Sequence, residues 1–380
     1  MIDKCDFDKQ CITYTQMNMI SNARIFWRRL TTWIRVYVIR RYVGIGTEEE
    51  TFSRVYFETA GIGNFLQVIY ELESSNNISQ HLSQITIALR DLITAQLQGN
   101  VEAMNHSVNR LFQSAENFAS YLATINPYIS ETEWKSMMNT YIRYTIEEAN
   151  SFVTGNYRND IELFRLLTEL TDRMGESFAE ANFNYITSGG RVVQPSSQPC
   201  LTYDQMNQIY ITRMFWFELV TWVRVYMLSR YRGIGNEEEI KDRLREIPQE
   251  FEAAQKQLFG RNIEPFVMLV EKYIDLVSDL ITAQLEGNTE EVDRIIQLLY
   301  QNAEQQATVI ASINPYWDEN EWRNRLYNLV RATIDESITF QTGEYTKNLD
   351  IFRGLLDQAE SASGYYARGL YSYMTSQQGL

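Results

Sequence analysis

Much of this chain is written twice. Residues 11–42 read CITYTQMNMISNARIFWRRLTTWIRVYVIRRY, and residues 200–231 read CLTYDQMNQIYITRMFWFELVTWVRVYMLSRY. The match resumes downstream. DLITAQLQGN at 91–100 returns as DLITAQLEGN at 279–288, and INPY at 125–128 returns at 313–316. The offset is 189 positions up to about Glu50 and 188 from Asp91 onward, so one residue was lost or gained between them. A chain so built has to fold as two like units of nearly half its length. The expected organisation is a first repeat over 1–188, a linker over 189–199 rich in Gly, Pro and Ser, and a second repeat over 200–380. The repetition also works as a filter: a residue kept in both copies is one that the fold or a shared task favours there.

Within each copy the patterning is helical throughout. Valine and isoleucine recur at helical spacing and not in alternation. The first helix, expected over 14–42, is apolar on nearly every face, with Ile25, Phe26, Trp27, Leu30, Trp33, Ile34, Tyr37 and Val38. Its twin carries Met214, Phe215, Trp216, Phe217, Leu219, Trp222, Val223 and Tyr226. A helix apolar all round is a central one, packed on several sides. Gly44 and Gly233 suit a left-handed cap at its end. Thr47 and Asn236 then cap a new start, each before three glutamates. The stretch that follows differs most between copies. With Gly61 and Gly63 in one and Pro248 in the other, it reads as short helices and loops. Further helices are expected over 78–98, 101–124, from Ser130 to about 154, and over 157–185. Ser130 with Glu133, and Asp318 with Glu321, form capping-box patterns. Pro127 and Pro315 end the second of these before Asn126 and Asn314. The fold class is therefore all-α: two tandem antiparallel bundles of four to five long helices each.

Charge and composition narrow the function. A net charge of −15 argues against non-specific binding to nucleic acid and against a polybasic membrane-binding surface. No stretch stays apolar long enough to span a bilayer; 20–42 is broken by six arginines. The N-terminus carries no apolar signal region. Three cysteines, Cys5, Cys11 and Cys200, show no framework spacing. They read as unpaired thiols of a reducing, cytoplasmic setting. Cys11 and Cys200 match, but each stands alone at a helix start, a small buried residue in the simplest reading.

No catalytic constellation repeats. The two histidines, His81 and His106, have Leu269 and Arg294 as twins, so neither a Glu-x-x-His metal site nor a Ser-His-Asp set can occur in both copies. No phosphate-binding Gly-rich loop is present. No metal and no cofactor is expected. What both copies keep is a set of charged residues on otherwise apolar helices. Arg24 and Arg213, with Arg35 and Arg224, lie on the first helix. Asp91 and Asp279, Glu116 and Glu304, Arg143 and Arg331, and Glu148 and Glu336 lie on later ones. Two readings are open: interhelical ion pairs that fix helix register, or a polar pocket for an anionic or zwitterionic ligand. Buried charge must be paired in either case. The matched arginines of the first helix are expected to be buried and paired, Arg35 and Arg224 foremost, with Asp91 or Glu148, and Asp279 or Glu336, as partners. The tryptophans Trp27, Trp33, Trp216 and Trp222 read as core.

The run Trp-x-x-x-x-x-Trp-x-Arg, with Asn302-Ala303-Glu304, residues 311–317 (ASINPYW), Glu321-Trp322 and the Thr342-Gly343-x-Tyr345 joint, resembles a group of small all-helical proteins from Firmicutes. Those are one unit long and often carry the label acetylglutamate kinase. The resemblance covers most of both repeats and implies a helical bundle. Its motifs carry no kinase chemistry, and this chain has neither the strands nor the loops of an amino-acid kinase. Family members often carry a histidine where this chain has Leu30 and Leu219. The function expected is a non-enzymatic structural or interaction module whose duplication mimics a dimer. Its partner would be an unidentified protein or a second copy. The alternative is a small-ligand binder with a pocket inside each bundle.

Overall fold

The computed structural model describes residues 12–188, 200–235 and 237–376. The expected linker, the cap at Asn236 and Cys11 lie outside the described residues. Twelve α-helices follow one another among them: α1 Tyr14–Val43, α2 Glu48–Leu66, α3 Leu72–Leu97, α4 Val101–Ile125, α5 Glu131–Val153, α6 Tyr157–Ser188, α7 Tyr203–Arg232, α8 Glu237–Phe259, α9 Glu264–Glu286, α10 Thr289–Ile313, α11 Glu319–Thr342 and α12 Tyr345–Ser376. A 3-10 turn, Gly260–Ile263, joins α8 to α9. No strand occurs among the described residues, only one antiparallel bridge between Ile12 and Leu201. The fold is all-α.

Two compact units result. One begins at Thr15 and contains α2 to α6 with nearly all of α1. The other contains α7 to α12. The boundary departs from 1–188 at its start, because residues 12–14 group with the second half of the sequence. Ile12 and Leu201 exchange both backbone hydrogen bonds, at 3.0 and 2.9 Å, and the Tyr14 ring meets Tyr371 edge-on at 5.1 Å. Next to that bridge, Cys200 is disulfide-bonded. The expectation of a lone thiol at this position is corrected; its partner lies outside the described residues.

Each unit has the same order of six helices, and from the second helix of each unit onward consecutive helices pack on one another. Six residues in succession, Leu30 to Arg35, are buried on α1, more than a full turn and so every face. Thr212 to Phe217 and then Leu219 to Arg224 do the same on α7, which packs on α8, α9, α11 and α12. By contrast α4 buries a single stripe, Ser107, Leu111, Ala115, Phe118, Ala119 and Leu122. A capping box closes at Thr47 with Glu50, while Ser130 and Asp318 accept from the Glu133 and Glu321 amides.

A second expectation fails. Residues expected as short helices and loops form continuous helices, α2 and α8. In α8 the buried series Ile240, Leu244, Ile247, Phe251, Gln255 and Phe259 keeps one apolar face through Pro248. Burial of that face outweighs the hydrogen bond that the proline cannot donate. In α2, Gly63 lets the Ser75 backbone carbonyl of α3 come close; a Cβ there would sit 3.1 Å from it.

Candidate functional site

The matched charges divide into a buried set and a surface set. Arg35, in the second half of α1, is 3% exposed. Its guanidinium grips Asp160 of α6 with two parallel hydrogen bonds, Nη1 to Oδ1 at 2.9 Å and Nη2 to Oδ2 at 2.8 Å. Nη1 also donates to Glu148 of α5, and the guanidinium lies 4.5 Å from the Phe164 ring centre. This fork suits arginine and not lysine.

Arg224 repeats the design with one difference. It donates to Glu336 of α11 and, through Nη2 at 2.8 Å, to the Asn348 side-chain oxygen of α12. Phe352 lies 4.4 Å from its guanidinium. Asn348 occupies the position of Asp160. It accepts from the arginine and donates to Thr339 Oγ1 at 2.9 Å. So the first unit surrounds its arginine with two carboxylates, the second with one carboxylate and an amide.

The electrostatics follow. Burial pushes the Glu148 carboxyl up; Arg35 opposes this and Asp160 adds to it, and the result is about 7. Burial likewise raises Glu336, against the pull of Arg224. Burial alone would lower Arg35, but its two carboxylates outweigh burial and raise it. Arg224, with one carboxylate, stays lowered by burial.

The other candidates do not join these networks. Asp91 is not the partner of Arg35, and Asp279 is not the partner of Arg224: both face outward. Asp91 pairs with Arg110 at 2.8 Å on the surface, and Asp279 is exposed near Arg294. Their helices turn these positions away from the first helix. Glu304 pairs loosely with Arg323 at 3.6 Å, and Glu116 is half-buried near Lys135. Arg143 and Arg331 are exposed, one beside the Tyr144 ring and the other on Asn328. Arg24 is buried against Glu176 at 3.6 Å; Arg213 is buried as well but, against expectation, forms no ion pair among the described residues, since Gly364 stands where the first unit has Glu176.

Asp160 and Asn348 escaped the sequence reading. The filter demanded identity in both copies, and these differ. Their shared place, three residues after the tyrosine that opens the last helix, was the usable signal. A second matched pair was also missed: Tyr42 donates to Gln96, and Tyr231 to Gln284.

The tryptophans are core. Trp27, Trp33, Trp216 and Trp222 are at most 1% exposed, and Trp27 packs with Phe118 and Trp134. Asn126 and Asn314 each accept from the amide two residues on, at 3.0 Å, which makes the Asn-Pro-Tyr joint a turn device. His81 stacks on Tyr121, and burial lowers its pKa. Among the described residues no cluster of His, Cys, Asp and Glu could hold a metal ion. No helix there is long and apolar enough to cross a membrane.

Comparison with known proteins found no matching family model, no matching curated protein and no matching solved structure.

Proposed function

We propose that this chain is a non-enzymatic structural or interaction module, a tandem duplication of one helical unit of the Firmicutes group that its motifs resemble. One observation carries the reading: at Arg35 and Arg224, kept in the core of both copies, the buried charges are turned on each other. Arg35 is met by Glu148 and Asp160, and Arg224 by Glu336 and Asn348. Such networks hold the first helix of each unit in register against the last two. They present no charge to a substrate. The acetylglutamate kinase label of the resembling group finds no support in either unit.

The partner is an unidentified protein or a second copy, met by the outer helical faces; nucleic acid is disfavoured by the net charge of −15. Native mass spectrometry of the purified full chain tests this. The expected masses are the chain and its integer multiples, or complexes with a second protein. An organic molecule larger than a simple monocarboxylate, retained at two copies per chain, one in each bundle, would replace the module reading with the ligand-binder reading. A cytoplasmic site of action, expected from the cysteine count, requires the Cys200 disulfide to be reduced in the cell. Thiol trapping at lysis checks it.

A further inference from the structure

Two ion pairs of the first unit are each half lost in the second. In the first unit Arg24 pairs with Glu176 at 3.6 Å, and Arg28 with Asp172 at 2.6 Å. The matching positions of the second unit hold Arg213 with Gly364, and Phe217 with Glu360. What survives is the arginine of one pair and the carboxylate of the other. They do not recombine: among the described residues Arg213 forms no ion pair, and its Nε and Nη1 are buried without a hydrogen-bond partner.

Arg213 is only 5% exposed. A guanidinium stays protonated even there, so its charge lies in the protein uncompensated by contact. Burial lowers its pKa, and the attraction of Glu360, Tyr14 and Tyr210 only partly offsets this. Glu360 has a further interaction of its own. The space beside Gly364, where the missing side chain would begin, is open. A Cβ built on Gly364 would meet only Arg213 Nη2, 3.8 Å away. Gly364 is itself half-exposed, so the gap is reached from solvent.

We infer that Arg213 and the gap at Gly364 form a binding site for a small monocarboxylate, which takes the place that the Glu176 side chain fills in the first unit. Size and charge both follow from what is missing. The absent group is one planar, singly charged carboxylate on a two-carbon stem, and the guanidinium edge offers N–H donors to match it. The remaining charge, Glu360, disfavours a multiply charged anion. Tyr14 and Tyr210 border the site from α1 and α7. The inference does not rest on the proposed module role, and either can fail alone.

Saturation-transfer NMR of sodium acetate on the full-length chain, with chloride holding ionic strength constant, reads the site. The wild type is expected to give a saturable methyl signal that formate displaces. Gly364→Glu supplies the carboxylate from the chain, and Arg213→Gln removes the cation; each is expected to lose the signal while keeping its helical circular dichroism. If Arg213→Gln does not fold, Gly364→Glu decides by itself. A silent wild type overturns the inference, as does a Gly364→Glu variant that binds acetate as the wild type does. A silent wild type beside an acetate-binding Glu360→Gln would also overturn it, by making Glu360 the native partner of Arg213.

Discussion

Arg35 and Arg224 occupy the same place in two units, yet removing them has different consequences. Arg35→Met leaves two buried carboxylates facing each other; Arg224→Met leaves one. Breaking a buried pair costs about 3–5 kcal/mol. Arg35→Met is expected at the top of that range and Arg224→Met below it, as read by hydrogen exchange on peptides of each unit. Equal losses would mean that Asp160 contributes no more than Asn348. The same site makes the first unit sensitive to pH. Glu148 sits at about 7, above its ordinary 4.5, so the native state holds its proton more tightly than the unfolded chain does. That contribution is complete below the ordinary value and is lost as pH rises through about 7, up to about 3 kcal/mol in all. Asp160→Asn, which copies the second unit, removes one cause of the rise. It is expected to flatten the loss of stability between pH 5 and pH 8. A variant with the wild-type pH profile would refute the assignment.

At the scale of helices, glycine shows how packing overrides propensity. Gly369 and Gly354 both lie inside α12. Gly369 faces Trp317 so closely that a Cβ would overlap the indole, whereas one on Gly354 would meet nothing within 4 Å. Gly354→Ala is therefore expected to stabilise the second unit by up to about 1 kcal/mol. Gly369→Ala should destabilise it by about 1–3 kcal/mol through overpacking. Thermal unfolding of the two variants should show shifts of opposite sign. Gly175 in α6 makes the same kind of approach to α1: a Cβ would lie 2.5 Å from the Arg24 Cα. None of this can be read from a glycine in a sequence, which looks alike at a tolerant site and at a crowded one. The joints, by contrast, were legible. Gly233, Gly287 and Gly343 are left-handed caps where the pattern put helix ends. The α2 and α8 stretch misled because Gly61, Gly63 and Pro248 are local signals. The apolar face that keeps those helices going gains its energy only when a neighbouring helix covers it.

For the whole molecule, the two units keep one plan while changing its particulars. One ion pair between the first helix and the second, Arg29 with Glu58 at 3.2 Å in one unit, is replaced by Glu218 with Arg243 at 3.5 Å in the other: the charge at the first-helix position changes sign, and its partner stands at a different position on the second helix. The N-terminal residues 12–14 join the second unit through Leu201, beside the Cys200 disulfide. Reduction is expected to add the mass of two hydrogens and to speed amide exchange at Ile12 and Leu201, with α2 to α5 unchanged. If reduction leaves the exchange of those two amides as it was, the disulfide does not fasten this edge. The sequence by itself determined the helical class, the two units, the joints, the central first helix, and that Arg35 and Arg224 must be paired. Those follow from local periodicity, capping chemistry and the cost of burying charge, all of which act on neighbouring residues or on a residue alone. Only the tertiary structure decided which groups meet them: Asp160 and Asn348 where Asp91 and Asp279 were also candidates. It alone showed Arg213 without a carboxylate. Partner choice depends on how helices more than a hundred residues apart rotate against one another, and that rotation is set by the packing of the whole core.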